Sequence, residues 1–312
     1  MAGRMHSRFG KDQWMMIDNK ADQVDAMETE YEVLADTKPE KAIDSTVIEE
    51  ASHEEPGLRA AQRSDVGAIR KRNEDSCLIF SSESGGHFPI LPFGLYLVAD
   101  GMGGHEAGHL ASKIASRTAA NHILKEVYLP LLNEETPPDH EEIIKIAHDA
   151  VQLAHKAVYN PDPAHDGGTT LTIALVLGQE LFAAHVGDSR AYWLVDGQLQ
   201  TVTIDHSLVQ RLQDEGQLTA EEAQDYQYRN VLLRALGQED ELKIDTYQRS
   251  LPSKGKLLLC SDGLCGLVQD SELQQIMNLP IQPHETADQL IAAAMKAGGY
   301  DNITAVVVDF CF

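Results

Sequence analysis

Cysteine is scarce in this chain: Cys77, Cys260, Cys265 and Cys311 are the four among 312 residues, and no two form a CxxC pair. That is too few and too scattered for a disulfide framework, so a reducing compartment is expected. Basic residues are outnumbered 25 to 49, which leaves a formal net charge of −24. DNA, RNA and anionic membrane faces repel a chain that acidic, which argues against a nucleic-acid or membrane-surface protein. No apolar run approaches the ~20 residues that cross a bilayer. The first thirty residues hold no apolar h-region, so no secretory leader is expected. A P-loop, GxxxxGK[ST], is missing, and Gly187-Asp188-Ser189 lacks the second glycine of a nucleophile elbow. No cysteine has an arginine six residues downstream, where a thiolate phosphatase would need it. These absences predict a cytoplasmic protein whose chemistry is not nucleophilic catalysis by serine or cysteine.

What is present begins with a hydrophobic content of 43%, ample for a core. Composition changes near residue 58. The segment before it carries a net charge of −8 and only Phe9, Trp14 and Tyr31 as aromatics, so residues 1–57 are read as an acidic, disordered tail. Residues 58–312 then form one domain. Its apolar runs are short and bounded by Gly or Asp: 95–99, 171–177, 181–186, 191–195, 256–260 and 303–310. Turn signals at Gly178-Gln179 and Asp196-Gly197 suggest hairpins. Helical patterns cover 109–127, 141–158 and 286–297; in the second, Ile144, Ala147, Val151, Ala154 and Val158 make one stripe. Hairpin-linked strands with a few amphipathic helices predict an α+β domain in which antiparallel sheets are covered by helices.

Aspartates stand repeatedly where the apolar strands end. Asp100 precedes Gly101, Asp188 follows Gly187, Asp262 precedes Gly263, Asp301-Asn302 precedes the last strand and Glu74-Asp75 an early one. Any one of these reads as a turn residue. If the five positions converge, they form an oxygen-only cage that repels itself without cations, and Mg2+ or Mn2+ are the expected occupants. Paired ions of this kind activate water and stabilise in-line displacement at phosphorus. Arg70-Lys71-Arg72 is a basic island beside Glu74, and an arginine fork can hold two phosphate oxygens. A rival motif is His105-Glu106-Ala107-Gly108-His109, which satisfies the HExxH of a zinc hydrolase, although Gly108 is a poor mid-helix residue.

Taken in order, these residues resemble the metal-dependent PP2C-type (PPM) serine/threonine phosphatases, in particular their bacterial branch. The blocks are Ser64-Asp65-Val66-Gly67 with Arg70 and Asn73-Glu74-Asp75; Asp100-Gly101-Met102-Gly103-Gly104; Gly168-Thr169-Thr170; Gly187-Asp188-Ser189-Arg190; Asp205-His206-Ser207; Arg229-Asn230; Arg234-Ala235-Leu236-Gly237; Ser261-Asp262-Gly263; and Gly299-Tyr300-Asp301-Asn302-Ile303-Thr304.

The resemblance implies a β-sandwich flanked by helices on both faces, four layers in the order αββα. It implies two core Mn2+ or Mg2+ ions, with Asp100 bridging them, the Gly101 carbonyl on the first, and Asp262 and Asp301 completing the second. Asp188 would help to hold a third, weaker ion. Arg70 would grip the phosphate, Glu74 and Asp75 would act near the metals, partly through bound water, and residues from about 209 to 230 would form a flap that shapes substrate choice. Met102 stands where many eukaryotic members carry a histidine proposed to protonate the leaving alcohol. Tyr226-Gln227 replace a common His-Pro in the flap. The implied activity is hydrolysis of phosphoserine and phosphothreonine in proteins by a metal-bridging hydroxide, without a phosphoenzyme. A monomer acting opposite a cognate kinase is the expected setting. The alternatives are a catalytically silent binding module of the same fold and the zinc hydrolase built on His105 and His109.

Overall fold

The structure is a computed structural model that describes residues 57–82, 91–103, 107–133, 136–159, 167–224, 226–238 and 241–312. All of them fall within one compact unit, Ser52–Phe312. The acidic tail lies outside the described residues except Gly57, which opens the first strand rather than closing a tail. His105 and Glu106 of the HExxH segment also lie outside them.

Among the described residues, twelve strands and eight α-helices follow one another. The first part comprises β1 (Gly57–Asp65), β2 (Ser76–Ser82), β3 (Phe93–Ala99), β4 (Gly101–Met102) and α1 (Ala107–Ile123). One π-helical turn, Leu124–Tyr128, leads into α2 (Leu129–Leu132), and α3 (His140–Val158) returns. Then come β5 (Gly168–Thr169), β6 (Leu171–Leu177), β7 (Glu180–Val186), β8 (Arg190–Val195) and β9 (Gln198–Thr201). Two short helices, α4 (Leu208–Asp214) and α5 (Ala220–Gln224), precede β10 (Asp245–Ser250) and β11 (Lys254–Cys260). The chain ends with α6 (Asp262–Cys265), α7 (Asp270–Met277), α8 (Pro283–Lys296) and β12 (Ile303–Cys311).

The strands pair antiparallel throughout, in two five-stranded sheets of order β1-β12-β11-β8-β9 and β10-β7-β6-β3-β2, with β4-β5 as a small third ladder. Side chains alternate across a strand, so one strand serves two interfaces. In β3, Tyr96 and Val98 face the other sheet, packing with Leu257, Leu259, Val306 and Val308. Leu95 and Leu97 point the opposite way, into a cluster with Ala115 and Ala119 of α1 and Ala147 and Val151 of α3. On the far side Leu258, Ala305 and Val307 meet Leu273, Met277 and Leu290 of α7 and α8. Three apolar interfaces between four layers make the αββα sandwich. It also explains why the central strands read as unbroken apolar runs: both of their faces are covered.

The β8–β9 hairpin turns on Asp196 (φ +50°) and Gly197 (φ +75°), a left-handed pair that suits the twist of the strands. α3 starts with a reciprocal cap: Asp139 Oδ1 accepts from Glu142 N–H, and Glu142 Oε2 accepts from Asp139 N–H. No helix among the described residues is long and apolar enough to cross a membrane.

Candidate active site

The carboxylates meet because antiparallel strands end together. Asp100 follows β3, Asp188 joins β7 to β8, Asp301 precedes β12 and Glu74 precedes β2. Asp262 follows β11 but belongs to the first turn of α6, so it opens a helix rather than simply closing a strand. A cavity of about 210 Å³ is lined by Arg70, Glu74, Asp100, Gly101, Asp188, Asp262 and Asp301, with Met102, Thr170 and Asn230 beside them. Seven of the eight residues singled out in the sequence share this one space. The eighth, Asp75, stands behind its wall. It is 8% exposed, and its Oδ2 accepts hydrogen bonds from Ser261 Oγ (2.8 Å) and Thr304 Oγ1 (2.6 Å).

Backbone bonds hold the lining in place. Asp100 N–H donates to Thr170 Oγ1, and the Asp100 carbonyl accepts from both Thr170 N–H and Thr169 Oγ1. Thr170 Oγ1 in turn lies 2.7 Å from Ser189 Oγ, which ties the Asp100 turn to the Asp188 turn. At Gly101 an added Cβ would sit 2.3 Å from the Gly108 carbonyl oxygen and 2.5 Å from that of Glu74. Only glycine permits that approach.

Electrostatically the cluster is unstable as a set of bare anions. Burial, then repulsion from Asp75, Asp262 and Asp188, pushes the Asp100 carboxyl well above the usual carboxylate range. Asp188 is raised by burial and then by Asp262 and Asp205; Asp262 by burial and then Asp301. Burial also raises Glu74, and lifts Asp75 to about 6. Asp100 and Asp262 are close enough to share a proton. Apart from such carboxyl–carboxyl contacts, Asp75 Oδ1 and Asp262 Oδ1 are buried without a hydrogen-bond partner. Arg70 Nη2 donates to Asp301 Oδ2 at 2.6 Å, the one cation on the cavity wall among the described residues, against five carboxylates.

Among the described residues no three acidic, histidine or cysteine side chains stand in a finished ligand set around one point. The chemistry of the donors nonetheless fits hard divalent cations: all are oxygens, they are crowded, and Asp262 Oδ1 is buried without a hydrogen-bond donor. His109 is exposed in the first turn of α1 and does not line the cavity.

A second, wider cavity of about 780 Å³ opens beside the first and shares Asp188, Asn230 and Asp262 with it. One wall comes from α4 and residues 229–230 in the expected flap, the other from residues 265–271. Arg190 braces its floor through paired bonds from Nε and Nη2 to the Asp205 carboxylate. Thr170, Ser261, Asn302 and Thr304 belong to the sequence blocks but have no role legible there. Their work is hydrogen bonding to groups far away in the chain, which leaves no pattern along the sequence.

Comparison with known proteins agrees with this architecture. The family model described as Protein phosphatase 2C matches residues 70–296. The serine/threonine phosphatase stp of Listeria monocytogenes is 36% identical over 252 residues, covering 81% of this chain and 96% of its own. The serine/threonine protein phosphatase PstP of Mycobacterium tuberculosis is 38% identical over 257 residues, covering 81% of this chain and 45% of its own. Its crystal structure superposes with a TM-score of 0.69 at 35% identity, over 82% of this chain and 99% of that one. A structure of the PstP catalytic domain in complex with two manganese ions has a TM-score of 0.65, also at 35% identity, over 82% and 99% of the respective chains. With the four-layer sandwich, the carboxylate-lined cavity at one end of its strands and these matches in hand, the chain belongs to the Protein phosphatase 2C family.

Proposed function

We propose that this protein is a metal-dependent serine/threonine protein phosphatase that hydrolyses phosphoserine and phosphothreonine monoesters. The observation that carries the reading is the cavity in which Arg70 faces Glu74, Asp100, Asp188, Asp262 and Asp301. Asp100, the Gly101 carbonyl, Asp262 and Asp301 would hold two Mn2+ or Mg2+ ions, and Asp188 would contribute to a third. When bound, such ions supply a water acidic enough to attack at neutral pH and neutralise charge on the phosphoryl group.

The chain's own groups do the rest. Arg70, half-exposed at the rim, turns its fork from Asp301 to the phosphoryl oxygens and fixes their orientation. Glu74, whose pKa is raised by burial, stands on the same wall to take or return a proton. Asp75 steadies the wall from behind through Ser261 and Thr304. Thr170 is committed to Asp100 and Ser189, and Met102 carries no proton. Among the described residues the cavity therefore presents no free hydroxyl or thiol nucleophile, which supports direct displacement by water without a phosphoenzyme. The wider cavity gives a polypeptide flank room to lie beside the phosphorylated residue, which favours protein over small-metabolite substrates. The setting this reading implies is a monomer working in the cytoplasm against a cognate kinase.

The test is turnover of a phosphothreonine peptide with Mn2+, without it, and after chelation with EDTA. Activity is expected only with the cation, and Asp100→Asn is expected to lose about a hundredfold or more at any metal concentration. Wild-type turnover that survives chelation would sink the reading.

A further inference from the structure

Asn302 is 4% exposed, and its side chain makes three hydrogen bonds that all lead to one loop. Oδ1 accepts from Glu74 N–H at 2.8 Å, while Nδ2 donates to the carbonyls of Val66 at 3.0 Å and Arg72 at 2.9 Å. The orientation of the amide is settled by its partners: one N–H donor faces the oxygen and two carbonyls face the nitrogen, so a flipped amide would lose all three bonds. Val66 and Arg72 are the two ends of the loop that carries Arg70, and Glu74 is the next cavity-lining residue after it. One buried amide thus closes that loop at both ends and pins Glu74.

Other contacts hold the loop as well. Ala68 N–H donates to the Gly299 carbonyl at 2.7 Å, and Gly67 (φ +77°) passes so close to Asp301 that a Cβ there would sit 2.1 Å from its carbonyl oxygen. Both contacts lead back to the residues just before Asn302. Ile69 at the loop tip is 65% exposed, and the Arg70 side chain is 53% exposed. The guanidinium is aimed by its bond to Asp301 and by the backbone beneath it. Asn302 also donates its own N–H to Asp301 Oδ1 at 2.8 Å, so the loop is referenced to a cavity carboxylate.

We infer that Asn302 is the positioning residue for phosphate recognition: its side chain holds the Arg70 loop and Glu74 in register with Asp301, so that the grip on the phosphoryl group meets the carboxylate cavity. This rests on the reading of Arg70 as the phosphate grip.

The experiment compares wild type with Asn302→Asp and Asn302→Ala in the full chain. The aspartate keeps an oxygen for Glu74 N–H but sets oxygen against the Val66 and Arg72 carbonyls; the alanine removes all three bonds. Three quantities are read: KM and kcat for p-nitrophenyl phosphate with saturating Mn2+, the inhibition constant of inorganic phosphate, and backbone hydrogen exchange over residues 66–74. For Asn302→Asp, KM and the phosphate inhibition constant are expected to rise about tenfold, with kcat changed less than threefold. Amides of 66–74 should exchange faster while those of β12 and β3 stay protected. Asn302→Ala should add a loss in kcat through Glu74. If it melts as a partly folded protein, the aspartate variant alone decides. Unchanged KM and phosphate inhibition with unchanged exchange would overturn the inference, as would protection lost evenly over β3, β12 and the loop. A wild type inert toward every phosphomonoester would refute the proposed function, and hydrogen exchange would still show whether Asn302 holds the loop.

Discussion

Arg70 and His185 show how much one side chain's surroundings decide. Arg70 is a half-exposed cation beside Asp301. A lysine there keeps the charge and loses the fork that can take two oxygens at once. Arg70→Lys should therefore raise KM for a phosphopeptide about tenfold and leave the melting temperature within a few degrees, a pattern that steady-state kinetics and a thermal melt can check. His185 is fully buried. Its Nδ1 lies 2.9 Å from Thr172 Oγ1, and its ring centroid is 4.8 Å from that of His206, the two rings tilted by 41°, near Asp245. Burial, then the neighbouring His206, lowers its pKa to about 3. Unfolded, the imidazole takes a proton near 6.5, so between pH 6.5 and 3 the unfolded chain binds more protons than the folded one. Stability from this group is complete above pH 6.5 and drains away as pH falls, by about 2 kcal/mol between pH 7.5 and 5. Carboxylates raised by burial, such as Asp75, change stability in the opposite sense over this window, so the His185 contribution is read as a difference: urea unfolding at the two pH values should show a pH slope that differs by about one proton between wild type and His185→Gln. Equal slopes would show that the ring is not held neutral.

At the scale of elements, capping and edges separate what local sequence can say from what it cannot. Asp139-His140-Glu141-Glu142 is a cap written in four consecutive residues. Asp139→Ala should cost about 1 kcal/mol in denaturant unfolding without changing activity, because no residue of α3 lines either cavity. The central strands β3, β6, β7, β8, β11 and β12 were legible as apolar runs because both faces are buried. β1 and β10 were not. They are edge strands with polar sequences, GLRAAQRSD and DTYQRS, and only Leu58 among their residues is fully buried. Their pairing comes from backbone bonds to β12 and β7, which the side-chain pattern does not record. The helix read over 109–127 begins at 107 and changes to a π turn at 124, where one extra residue per turn keeps both Leu124 and Tyr128 against the core.

For the whole molecule, the crowding of carboxylates predicts that folding and cation binding are linked. Buried anions that repel one another weaken the fold, and a divalent cation bound only by the folded chain stabilises it by mass action. Adding Mn2+ at about a hundred times its dissociation constant should stabilise the protein by about 2.7 kcal/mol, read as a rise in melting temperature that EDTA reverses. In Asp100→Asn that rise should shrink. An equal rise in both would place the ions elsewhere.

What the amino-acid order determined by itself was the inventory: which residues could be strands, that aspartates stand at their ends with glycine alongside, that an arginine lies near Glu74, and the family these blocks resemble. Alternation, turn chemistry and spacing act over a few residues, so they survive in a linear text. What only the tertiary structure decided was which carboxylates share a space and which stands behind it. Asp75 looks like the neighbour of Glu74, yet one faces the cavity and the other the hydroxyls of Ser261 and Thr304. Asn302 looks like a companion of Asp301, yet its side chain serves Val66, Arg72 and Glu74, more than two hundred residues earlier in the chain. Hydrogen bonds and electrostatic repulsion depend on distance in space, and the sandwich, by bringing the ends of separate strands together, is what sets that distance.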